Sequence, residues 1–139
     1  MICKAEFSDL PVLADLAMKL WPEHDREELA QDLRQIMEKP GAAFFLAEGG
    51  FAQCQLRHDY VEGTESAPVG YLEGIYVEEN CRRRGVAREL LAACEDWSRE
   101  QGCREFASDC ELTNSESLRF HLSLGFTEAN RIICFTKKL

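Results

Sequence analysis

The chain lacks any run approaching the roughly 18 apolar residues that a membrane-spanning helix requires, so no transmembrane segment is expected. Its opening residues, MICKAEFSDL, hold no long apolar stretch, which speaks against a cleaved secretion signal. Low-complexity tracts and internal repeats are missing too, so solenoids and disordered linkers are not expected. Cysteine is not scarce, but its patterning is: none of Cys3, Cys54, Cys81, Cys94, Cys103, Cys110 and Cys134 stands in C-x-x-C spacing. With no close ligand pairs, no metal site is expected. An odd number of thiols without a secretion signal reads as reduced cysteines of a cytosolic protein, most of them small core residues. Positive charge is also in short supply, with 16 Lys+Arg against 25 Asp+Glu and a net charge of −9. Such a balance excludes the broad cationic face of a nucleic-acid binder. It leaves room for a cationic partner, which an acidic surface attracts over distance.

What is present is ordinary globular material: 139 residues, 45% apolar and 29% charged. That length implies one domain spanning 1–139, with roughly two thirds of the unfolded surface buried. Residues 2–7 alternate as a strand. Ser8 reads as an N-cap, and Leu10, Leu13, Leu16 and Leu20 recur at helical spacing behind it. Asp25 and Glu28 form a capping-box pattern for a second helix with Leu29, Leu33 and Ile36 on its buried stripe. Two apolar runs flank Gly49-Gly50 as in a tight hairpin. Residues 68–79 read as a strand, 85–102 as an amphipathic helix, REFASD as a short strand, 114–125 as a helix and RIICFTKKL as a last strand. The expected order β-α-α-β-β-β-α-β-α-β is mixed α/β.

One stretch breaks the acidic character. Asn80 to Leu91, NCRRRGVARELL, gathers Arg82, Arg83, Arg84 and Arg88 around Gly85, between a strand and a helix. A helix start offers free N–H groups and the positive end of its dipole. With arginines for bidentate contacts and a glycine for close approach, this is an anion site suited to phosphate. A solvated basic turn capping an acidic helix is the plain alternative. The spacing Arg82-x-x-Gly85-x-Ala87 resembles the pyrophosphate loop of the GCN5-related N-acetyltransferases. The frame from Asn114 to Gly125-Phe126 is similar to the helix after the fifth strand of that superfamily, except that His121 stands where tyrosine is usual. LWPEH at 20–24, residues 56–77, EFASDCELTN at 105–114 and residues 120–139 together resemble a narrower branch, the aminoglycoside 6′-N-acetyltransferases.

This resemblance implies a central, mostly antiparallel sheet of about six to seven strands flanked by about four helices. It implies acetyl transfer from acetyl-coenzyme A to the 6′-amine of an aminoglycoside antibiotic, by a cytoplasmic homodimer. Carried over, it assigns Trp21, His24, Tyr60, Glu73 and Asp109 to the aminoglycoside. It assigns Ile75, Tyr76, Val77, Arg83, Arg84, Gly85, Val86, Ala87, Arg88 and Asn114 to the coenzyme. Related chains often carry an acidic residue at the place of Asn130, near a substrate contact, where Glu128 is here the nearest carboxylate; this would narrow or shift the range of drugs accepted.

The chemistry of the residues can be weighed separately. A polycationic acceptor needs carboxylates and flat apolar surfaces. Glu73 lies inside an apolar strand, YLEGIYV, where a charge needs a reason, and Gly74 beside it signals a bulge or a close backbone approach. Alternation puts Glu73, Ile75 and Val77 on one face. Glu73 is either half of a structural salt bridge or the group that holds the amine and draws off its proton through water. Asp109 ends a strand, at the end where α/β sites form, and binds substrate or caps the next loop. Glu62 and Glu65 read as a solvated loop. The backbone N–H at Val77 is the candidate oxyanion donor. His121 is either the acid that protonates the departing thiolate or a packing and coenzyme-binding residue. An acyl-cysteine route is disfavoured because no Cys neighbours a His. Two rivals remain: the same transfer to a polyamine or a protein amine, and a coenzyme-binding module without catalysis.

Overall fold

The computed structural model describes all of residues 1–139. Five strands form one sheet in the order β1 (Cys3–Lys4), β2 (Ala42–Ala47), β3 (Gly50–Arg57), β4 (Val69–Val77) and β5 (Phe106–Ala107). Neighbours pair antiparallel except β4 with β5, which run parallel. Four helices flank the sheet: α1 (Leu10–Leu20), α2 (Arg26–Glu38), α3 (Val86–Glu100) and α4 (Ser115–Ser123). The parallel step is forced by α3, because a strand–helix–strand unit brings β5 back in the direction of β4.

Strand alternation divides the core in two. On one face Phe44, Leu46 and Phe51 pack against Leu13, Leu16 and Ala17 of α1 and Leu29 and Leu33 of α2. On the other, Phe45, Ala52, Cys54, Leu72 and Val77 meet Leu90, Leu91, Cys94 and Trp97 of α3. Each large side chain so buried stabilises the fold by about 1.5–3 kcal/mol. Asp25 caps α2 as its spacing predicts, accepting the Glu28 amide at 3.1 Å. Asn114 caps α4 through the Ser117 amide at 3.0 Å.

Three expectations change. Ser8 is not the N-cap of α1: it lies within a 3-10 turn at Phe7–Asp9, where Glu6 and Asp9 form the reciprocal cap instead. The hairpin turn is Glu48-Gly49, with Gly49 at φ +71°, and Gly50 already belongs to β3. The strand expected at RIICFTKKL does not form. Residues 127–139 run exposed without a ladder partner, and Ile132, Ile133, Phe135 and Leu139 face outward. A strand needs an edge to pair with, and this segment does not fold back onto one within its own chain. The sheet therefore holds five strands where six to seven were expected.

Candidate active site

The site grows out of an irregularity in β4. Gln53 pairs with Gly74 and Cys54 with Leu72, so Glu73 has no residue opposite it on β3. An extra residue of this kind is a bulge, which redirects the side chains around it. It also corrects the expected alternation. Ile75 and Val77 pack on the α3 side, while Glu73 stays with Tyr71 on the other. Gly74 is where Trp21 closes in: a Cβ there would lie 2.7 Å from the indole ring. Trp21 itself is braced edge-on by Phe51, at 6.0 Å between centroids. The sequence signal at Gly74, a bulge or a close approach, is thus met in both senses.

Glu73 is paired. Its carboxylate accepts from Arg57 Nη2 at 2.5 Å and 3.0 Å. The Arg57 guanidinium lies 3.5 Å from the centroid of the Tyr71 ring, a stacked cation–π contact. The Tyr71 hydroxyl in turn donates to Asp109. Burial and the Asp109 carboxylate together push the Tyr71 phenol well above its ordinary range, so it remains a donor at neutral pH. Burial works to lower Arg57, but the hydrogen bond and charge of Glu73 outweigh it and raise the guanidinium. Two predicted substrate carboxylates, Glu73 and Asp109, are therefore brought together through two side chains that sequence reasoning passed over. His24 and Tyr60 are not drawn into this network. His24 is exposed beside Glu23, at 3.4 Å, and Tyr60 is 75% exposed.

β5 covers β4 only at Gly70 and Tyr71, so from Leu72 to Val77 that edge of β4 is left without a strand. The Glu78 amide bonds the Gly49 carbonyl at 2.7 Å, toward β3. Alternation then turns the amide and carbonyl of Val77 the other way, into the opening between β4 and β5. Arg82 Nε donates to that Val77 carbonyl at 2.8 Å, and its guanidinium lies 5.9 Å from the Tyr76 ring centroid. Arg82 thus braces the loop. Arg83, Arg84 and Arg88 are exposed and form no ion pair within the chain.

The loop backbone is unusual as well. Arg83 has φ +64° and Gly85 φ +78°, immediately before α3 starts at Val86. Left-handed residues at a helix start aim successive N–H groups into one concavity, a nest for an anion. A Cβ on Gly85 would meet no atom within 4 Å, so the loop is open at that point. Cationic side chains, an aimed backbone and the α3 dipole fit a pyrophosphate. Val86 and Ala87 are half-buried at the head of α3, and Ile75 and Tyr76 are half-buried on β4.

His121 uses both ring nitrogens. Nδ1 lies 2.7 Å from the Ser117 carbonyl, which can only accept, so Nδ1 carries a hydrogen. Nε2 is then the acceptor for the Ser108 hydroxyl at 2.8 Å when the ring is neutral. Phe126 packs edge-on against the ring at 5.0 Å. The oxygen of Asn114 caps α4, which leaves its NH2 as the group able to donate outward. Glu128 turns to Arg131 at 2.5 Å, and Asn130 donates to Glu62 at 3.0 Å. Glu62, read as a solvated loop residue, is the carboxylate that stands beside Asn130. Cys94 is buried against Cys54, whose hydrogen bond and surroundings drive its thiol far up, so it offers no thiolate.

These features can be set beside known proteins. The profile of the acetyltransferase (GNAT) family matches residues 10–126. The chain belongs to that family, and its fold is the GNAT fold. It is 39% identical, over 100% of its length and 99% of the relative's, to an aminoglycoside N(6′)-acetyltransferase type 1 of Serratia marcescens. A protein of the same description from Stenotrophomonas maltophilia is 43% identical over 99% of this chain and 93% of the relative. Among solved structures, AAC(6′)-Iy in complex with the bisubstrate analogue CoA-S-monomethyl-acetylneamine superposes with a TM-score of 0.94 at 39% identity, covering 100% of this chain and 98% of that one.

Proposed function

We propose that this chain transfers the acetyl group of acetyl-coenzyme A to the 6′-amine of aminoglycoside antibiotics, by direct attack with both substrates bound. One observation carries the reading: β4 bears an anion loop just past its end and a carboxylate cluster at its bulge, with the Val77 amide turned into the opening beside them. Acetyl-coenzyme A supplies a thioester. Arg83, Arg84, Arg88 and the amides around Gly85 bind its pyrophosphate, and Ile75 to Val77, Val86, Ala87 and Asn114 line its course. Trp21, His24, Tyr60, Glu73 and Asp109 receive the polycationic drug. Glu73, directly or through water, draws the proton from the incoming ammonium, and the Val77 amide stabilises the developing oxyanion. In its imidazolium form His121 passes the Nε2 proton through the Ser108 hydroxyl to the departing thiolate and takes up another from solvent. His121→Phe should therefore change the shape of the pH–rate profile, and an unaltered profile removes it from the reaction.

The protein works as a single domain and pairs with a second copy. The outward-facing apolar residues of 127–139 (Phe135 is 87% exposed) and the free edge of β5 are the surfaces for that contact. The near relatives, and the solved neighbour bound to a CoA–aminoglycoside bisubstrate analogue, favour this reading over another acceptor. Incubating the protein with acetyl-coenzyme A and kanamycin, spermidine or a lysine peptide, then locating the new acetyl group by NMR, tests it. Acetylation of kanamycin at N6′ is the expected result. Faster turnover of spermidine or peptide would move the acceptor elsewhere, and tight coenzyme binding with no transfer would leave a binding module.

A further inference from the structure

Arg57 is the last residue of β3 and carries no role in the reading above, yet it is the hub of the acidic cluster. Glu73 sits on a bulge, so no cross-strand neighbour fixes its direction. Its side chain is only 16% exposed, and a carboxylate that far from water needs a partner. Arg57 answers both needs with one nitrogen: Nη2 reaches both carboxylate oxygens, which leaves each oxygen further lone pairs for a second donor. The guanidinium is in turn held flat on Tyr71, a buried ring whose hydroxyl is committed to Asp109. The chain Glu73–Arg57–Tyr71–Asp109 thus links the β4 bulge to a residue just past the end of β5.

We propose that Arg57 is a positioning residue for acetyl transfer: laid on Tyr71, it holds the Glu73 carboxylate in its working direction and ties it to Asp109. The proposal rests on the aminoglycoside acetyltransferase reading given above. Two carboxylates and one guanidinium leave the cluster one negative charge, the complement of a single ammonium. Without Arg57, Glu73 is free to turn on its bulge, and the two carboxylates face an incoming drug with no charge between them. Such misplacement lowers turnover steeply even where no contact to substrate is lost.

A double-mutant cycle tests this, with Arg57→Ala, Glu73→Gln and the two combined. Arg57→Ala should lower kcat/KM for kanamycin about tenfold or more and leave KM for acetyl-coenzyme A within about twofold. In the Glu73→Gln background the same change should cost less than about twofold, because Arg57 then has no carboxylate to direct. Guanidinium ion added to Arg57→Ala should restore part of kcat. Should Arg57→Ala fail to fold, Arg57→Lys asks the same question, since lysine keeps the charge but lacks the planar fork. It should lower kcat/KM for kanamycin and spare KM for acetyl-coenzyme A. Equal losses in both backgrounds, or a loss that follows melting temperature without guanidinium rescue, would overturn the proposal. Wild-type turnover of kanamycin in the same assay separates that failure from failure of the functional reading. A wild type inert toward every aminoglycoside sinks both.

Discussion

Two charged regions hang on the same strand and treat their charge in opposite ways. Past the end of β4, Arg83, Arg84 and Arg88 are exposed and unpaired, around a turn in which Arg83 and Gly85 take left-handed φ. At the β4 bulge, Glu73 and Asp109 are satisfied through Arg57 and Tyr71 before any ligand arrives. An exposed cationic loop draws a multiply charged anion from solution and costs little to keep, because water solvates it in the meantime. The half-buried Glu73 carboxylate has no such recourse and needs an internal counter-ion, which Arg57 supplies, whereas Asp109 is exposed and is held by the neutral Tyr71 hydroxyl. The contrast suggests a division of labour, with the loop supplying affinity and the cluster supplying direction.

Experiments can break or sharpen that contrast. The largest effect is expected at the cluster: Glu73→Gln should cut kcat by roughly tenfold or more with the fold intact. Unchanged turnover, measured beside a circular-dichroism melt, would remove Glu73 from the chemistry. Replacing Arg83 and Arg84 by alanine comes next. It should raise KM for acetyl-coenzyme A several-fold, roughly to tenfold, and raise KM for the drug less, with the difference shrinking in high salt. Equal effects on both substrates would dissolve the distinction between the two regions.

Gly74→Ala is a packing test. Its Cβ would press on Trp21 at 2.7 Å and Leu20 at 3.1 Å, so a loss of about 1–3 kcal/mol in stability and weaker drug binding are expected. A melting temperature equal to wild type would mean that Trp21 moves freely. The smallest effect concerns Glu105, which lies outside both regions. Its carboxyl sits below its ordinary value of 4.5 because the Ser66 hydroxyl and then the Glu65 amide donate to it. A lowered carboxyl stabilises fully above the ordinary value and loses that contribution as pH falls through the lowered one. Glu105→Gln should therefore unfold with a slightly shallower dependence on acid, read from melts at descending pH. An unchanged slope would show that the bonds to Ser66 and Glu65 do not persist in solution.

Much of this was legible in the chain itself. The helix cap at Asp25, the helix beginning at Asn114, the amphipathic α3 and the exposed arginine–glycine turn before it follow from local patterns, and local patterns survive folding. Glu73 announced itself as a charge in an apolar strand, with Gly74 naming the bulge beside it. What the sequence hid was set by distant pairing. Arg57, at the end of a strand, reads as a solvent-facing residue, and Tyr71 reads as core. Only the β3–β4 register brings them to Glu73, although Tyr71 and Glu73, two residues apart ahead of the bulge, were a hint. The last strand failed for a similar reason. RIICFTKKL has a strand's composition, but composition does not supply an edge, and residues 127–139 find none within the chain.

The central claim, that the opening beside β4 moves an acetyl group onto a 6′-amine, is most directly tested by following thiol release. Acetyl-coenzyme A would be offered with kanamycin A and, separately, with lividomycin A, which carries a 6′-hydroxyl in place of the amine. The account predicts turnover with kanamycin A and none with lividomycin A. Turnover with both, or with neither while acetyl-coenzyme A binds tightly, would contradict it.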